Sequence, residues 1–163
     1  MRNAALLALA LIQHPVMPAG VTHTEHEAQL KKEADLKARG SQTMGFDQDS
    51  VLHHFLLTAD GGVIQVEAKS AGDYVTRDAV RSHLRTIANE FARGIFDKPV
   101  TTHGEVPPGV ETMQRLREDI KYEYEDYGTG GRVRIVATEQ EAVGAIHEFL
   151  RYQIREHQTG DPE

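Results

Sequence analysis

Apolar and polar residues alternate in two stretches of this chain and recur at helical spacing in three others. Residues 51–58 (VLHHFLLT) and 63–68 (VIQVEA) flank Asp60-Gly61-Gly62. Two apolar runs about an Asp-Gly predict a β-hairpin. A two-residue loop at Asp60-Gly61 would pair Leu57 with Ile64, Phe55 with Val66 and His53 with Ala68. It would set His54 opposite Glu67 on the other face. One histidine of the pair then faces a core and its neighbour faces away. A second hairpin is predicted around 128–131 (GTGG). Tyr122 then faces Ile135, while Glu123 faces Arg134 and Glu125 faces Arg132, so apolar and charged pairing agree on one register.

Helical periodicity follows each hairpin. Val80, Leu84, Ile87, Ala88 and Phe91 mark an amphipathic helix over 76–94, with Gly94 at its C-terminal cap. Val143, Ile146, Leu150 and Ile154, with Phe149 beside them, mark another up to 157, for which Thr138-Glu139-Gln140-Glu141 reads as a capping box. A short helix over 110–120 leads into the second hairpin. Residues 95–109, with Pro99, Pro107, Pro108 and Gly109, read as irregular. Residues 22–40 form a polar helix, and 41–50 form a linker in which Met44 and Phe46 dock on the domain.

The predicted architecture is α+β: a four-stranded antiparallel sheet from two hairpins, with helices on one face, in a single domain over 51–157. Hairpin-then-helix at 51–94 and again at 120–157 has the form of a ββα internal duplication. Both turns carry Gly-Gly, although identity is otherwise weak. Residues 158–163 form a polar tail, expected to fray.

Met44-Gly45-Phe46-Asp47-Gln48, His53-His54-Phe55-Leu56-Leu57, Val106-Pro107-Pro108-Gly109-Val110 and Phe149-Leu150-Arg151-Tyr152-Gln153-Ile154 resemble the motifs of a family of small, uncharacterised bacterial proteins. The resemblance covers about residues 42–160. It implies a bacterial source and a single recurring domain, and it carries no activity and no catalytic residue.

Charge and composition narrow the function. A net charge of -7 argues against a general nucleic-acid binder. Without cysteine there is no disulfide, thiol nucleophile or thiolate metal site. Arg2 followed by the apolar run 4–12 and by Pro15 and Pro18 predicts a signal peptide over 1–20. The mature chain would then be periplasmic or secreted, with no membrane span after signal removal.

Histidine supplies the candidate chemistry, with nine in 163 residues. His53 on the core-facing strand, with His83 and His147 on inward helix edges, could converge into a site for copper or zinc, with Met44 adding a thioether for Cu(I). His23 and His26, at i and i+3 with Glu27 nearby, form a second and more mobile candidate. Three readings remain from sequence: an exported transition-metal-binding protein, a histidine-dependent enzyme, and a non-catalytic partner-binding module. A homodimer through a sheet edge is compatible with any of them.

Overall fold

A computed structural model describes residues 23–163, and side chains from Thr24 onward. The segment 1–20, expected to be a signal peptide, and the side chain of His23 lie outside the described residues. The chain runs α1 (His23–Met44), β1 (Val51–Thr58), β2 (Gly61–Ala68), α2 (Tyr74–Ala92), α3 (Asp97–His103), α4 (Val110–Arg115), β3 (Ile120–Tyr127), β4 (Gly130–Ala137) and α5 (Gln140–His157). Short 3-10 turns precede β1 and β3. Among the described residues, no helix is long and apolar enough to cross a membrane.

The four strands form one antiparallel sheet in the order β1-β2-β4-β3, as the α+β reading expects. Period-two burial gives the sheet one apolar face, carrying Phe55, Ile64, Val66, Val133 and Ile135. Helix α5 packs over the first hairpin and α2 chiefly over the second, so each hairpin is covered by the helix that follows the other. Phe55, Ile64, Val66, Val133, Ile135, Ile146 and Leu150 share one core, with Leu57 and Tyr122 at its margin.

The second hairpin has the expected register, Tyr122 facing Ile135 and Glu125 facing Arg132. The first does not. Its loop is Ala59-Asp60, so Phe55 faces Ile64, His53 faces Val66 and His54 faces Gln65. The slip is two residues, which preserves the face of every side chain. Asp60 explains it: the carboxylate accepts from Thr58 Oγ1 at 2.7 Å and from Arg134 at 2.9 Å, which draws Asp60 into the turn. Arg134 is thereby diverted from Glu123, its expected cross-strand partner.

The paired glycines belong to the sheet centre. Gly61 faces Val136, and Gly130 faces Glu67. A Cβ at Gly61 would overlap the Ile135 carbonyl oxygen, and one at Gly130 would overlap the Val66 carbonyl oxygen. The two hairpins thus approach backbone to backbone in the same way at both ends of the β2–β4 seam. Strands of equal length and two-residue turns repeat in both halves, matching the duplication at the level of geometry. Gly130→Ala is expected to cost about 1–3 kcal/mol, the range for overpacking. A urea midpoint indistinguishable from wild type would refute the close approach.

Four local expectations are corrected. Residues 95–109 are not wholly irregular, because α3 forms there with Pro99 as its third residue, where no intrahelical partner for its missing N–H is required. Thr138 is not the cap of α5: the N-cap is Glu139, without a side-chain bond, and Glu141 pairs with Arg115 instead. The tail is tied down rather than frayed. Asp161 Oδ2 accepts the Phe55 N–H at 2.9 Å, and its Oδ1 lies 2.9 Å from His54 Nδ1. The segment that follows α5 therefore occupies part of the free edge of β1. Helix α1 also runs on through the expected linker to Met44. It lies along α3, with Leu36 buried and Arg39 Nε donating to the Thr102 carbonyl at 2.9 Å.

Candidate functional site

Phase along the strand sends His53 to the apolar face of β1, and helical phase sends His83 to the inner side of α2. Both line a cavity of about 60 Å³. Two histidines missed by sequence reasoning join them: His103 at the end of α3 and His157 in the last turn of α5. The His53 and His157 rings stack with centroids 5.3 Å apart and planes 19° apart. His103 meets His157 edge-on at 5.3 Å. Met44, the last residue of α1, also lines the cavity. Much of the remaining wall is apolar, formed by residues such as Phe55, Ile64, Phe91 and Phe149.

His147 does not take part. Its Nε2 lies 2.9 Å from the Thr58 carbonyl oxygen, to which it must donate. It precedes His157 by ten residues, or about 15 Å of helix axis, so one helix cannot bring both to this cavity. His26 is likewise remote, eighteen residues and about 27 Å along α1 from Met44. Helix α1 places the second candidate pair at the opposite end from the cavity.

The polar groups of the cavity are incompletely satisfied within the protein. His103 Nε2 lies 2.9 Å from Gln153 Oε1. With the amide in that orientation the ring nitrogen donates, which leaves Nδ1 with its lone pair. His103 Nδ1, Gln153 Nε2 and His53 Nε2 are all shielded from solvent, with no partner among the described residues. Gln153 is only 4% exposed. Orphaned buried polar atoms are costly and are uncommon in folded proteins. Here the three side chains that carry them all line one cavity.

Burial keeps these imidazoles neutral. It pushes His53 down to about 4, helped by His54 and Lys69. It pushes His83 down to about 4 as well, helped by Lys98 and His53. His157 is held well below its ordinary value and His103 is lowered, again chiefly by burial. At neutral pH the four rings carry lone pairs and no charge. Among the described residues, no carboxylate lines the cavity. Lys98 does, and both Glu90 oxygens hold its ammonium at 2.8 Å.

Size limits what could enter. A cavity that takes benzene measures about 150 Å³, and one water needs about 10–15 Å³. About 60 Å³ therefore suits one ion or a few waters. An outer cleft of about 390 Å³ lies between α1, the edge of β1 and the tail, and it shares His53 and His157 with the inner cavity. Those two rings form the wall between the two spaces. Among the described residues, no three His, Asp or Glu side chains already stand as a ready metal-ligand group. The stacked His53 and His157 rings present faces, not nitrogens, to each other.

The signal for His157 lay in the stripe of α5. Ile146, Leu150, Gln153 and His157 follow at steps of four, three and four, so the buried face continues into Gln153 and His157. Compared with known proteins, the chain matches no family model, no curated protein and no solved structure.

Proposed function

We propose that this protein binds a transition metal ion, copper or zinc, in the cavity between β1, α2, α3 and α5. The observation that carries the reading is the convergence of four uncharged imidazoles, two with an unpartnered ring nitrogen, on a space of about 60 Å³. Neutral imidazole is the form that ligates such ions. The small volume argues against an organic ligand of ordinary size, whose pockets run to about 300–1,000 Å³. Binding would need His53 and His157 to unstack and turn their nitrogens inward, a rotamer change within the core that is slower than the flips of exposed side chains. The outer cleft offers the route. With the signal-like segment 1–20, the reading is of a periplasmic or secreted metal-binding protein.

Calorimetry with Zn(II) and Cu(II) tests it on the full chain, on His53→Ala, on His157→Ala and on a His23→Ala/His26→Ala double variant. Deleting α1 outright is the wrong test, because Leu36 and Arg39 tie that helix to the domain. Loss of either cavity histidine should weaken binding at least about tenfold, as loss of well-placed metal-site groups does. The double variant should change it little. Wild-type affinity weaker than about 0.1 mM for both ions and also for Cu(I) supplied in reduced form, a free energy of only about 5.5 kcal/mol, would end the metal reading.

A further inference from the structure

From the chemistry of its wall, we propose that the cavity selects a monovalent soft ion, Cu(I), over Zn(II) and Cu(II), with the Met44 thioether as a selecting ligand. This rests on the metal reading above and goes beyond it in naming oxidation state and donor.

The first ground is charge. The available donors are imidazoles and a thioether, all neutral, and among the described residues no carboxylate lines the cavity. The Lys98 ammonium is on the wall, and its charge is balanced by Glu90 alone. The cost of bringing an ion from water into a low-dielectric space rises with the square of its charge. A divalent ion thus faces about four times the penalty of a monovalent one, with no anionic ligand to offset it and a cation nearby. Sites that hold divalent ions with neutral ligands leave room for water or hydroxide. A cavity of about 60 Å³ with largely apolar walls leaves little.

The second ground is softness. Thioether sulfur is a poor ligand for zinc and a good one for Cu(I). Met44 ends α1 at the point where that helix passes the cavity, and its side chain packs against the core and lines the same space as His53, His83, His103 and His157. The helix therefore delivers a soft sulfur to a nitrogen-rich space. Binding as such forms no covalent product and transfers no electron, provided that copper is supplied already reduced.

Competition against a colorimetric Cu(I) chelator under anaerobic, reducing conditions decides the matter, with Ag(I) as a redox-inert monovalent probe and Zn(II) and Cu(II) titrated separately. Cu(I) should bind at least about 100-fold tighter than Zn(II), as the soft donor set requires. Met44→Leu, which conserves volume, should weaken Cu(I) and Ag(I) at least about tenfold and leave Zn(II) within about twofold. Met44→Ala with an unchanged circular dichroism spectrum serves as the second variant and should give the same split. Zinc binding as tight as Cu(I), or Cu(I) binding indifferent to Met44, would overturn this inference and leave the metal reading standing. Failure of every ion to bind would overturn both.

Discussion

Taking the metal-free protein from pH 7 to pH 5 should lower its unfolding free energy by about 2 kcal/mol for each of His53 and His83. The ordinary value of 6.5 applies to both rings in the unfolded chain, and burial holds each near 4 in the fold. Between those values the unfolded state takes up protons that the native state refuses, so stability falls as pH falls. The contribution is intact above about 6.5 and is lost progressively down to about 4, where it amounts to about 3 kcal/mol per ring. His157 and His103 are displaced in the same direction and add to the slope. The lowered carboxylates, such as Asp60, Asp126 and Asp161, act in a separate window below their ordinary 3.8. Urea denaturation at half-unit pH steps, with a chelator present, separates the two windows. His83→Gln should flatten the slope between pH 6.5 and 5 by about 1.4 kcal/mol per pH unit, one proton's worth. A midpoint that does not move between pH 7 and 5 would mean that these rings are hydrated and that the cavity is not as enclosed as the fold indicates.

The same burial shows why the site was only partly legible in the sequence. Period-two patterning placed His53 on the core face of β1, and the apolar stripe of α2 placed His83 at its border, and both reach one cavity. Those assignments needed only local phase. His147 failed because phase cannot measure position along an axis: it faces the sheet, but at the hairpin tip, beside Thr58. His103 was hidden in a proline-rich stretch where Pro99 reads as a helix breaker, although in a first turn it breaks nothing. His157 was hidden at a chain end that reads as frayed. The hairpin registers divide along the same line. The 128–131 turn had charged and apolar pairs agreeing, whereas the first turn was decided by Asp60 reaching Arg134, seventy-four residues away. Interactions of that range leave no trace in a local pattern.

Leu150 is the position where the patterning and the three-dimensional packing meet, and Leu150→Ala should destabilise the protein by about 2–5 kcal/mol, the range for a buried leucine truncation. It is fully buried in the main core. Its Cδ1 lies against Gly62, at a point that a Cβ on that glycine would overlap, so the leucine fills the space which the glycine leaves on β2. No side chain on Gly62 can swing in to close the void left by truncation, which puts the expected cost toward the upper part of the range. Leu52 on the same hairpin is 48% exposed and provides the control. Leu52→Ala should change stability by less than about 0.5 kcal/mol, as surface substitutions do. The consequence reaches the histidine cavity, because Gln153 and His157 follow Leu150 on the buried face of α5 at three and seven residues. A helix loosened at Leu150 no longer fixes the ring that stacks on His53. Any metal affinity of the wild type should therefore fall in Leu150→Ala even under conditions where the variant remains folded. A loss of stability below about 0.5 kcal/mol would show that the buried face of α5 lies elsewhere. Full loss of stability with unchanged affinity would show that the cavity is held by α2 and α3 and does not depend on α5.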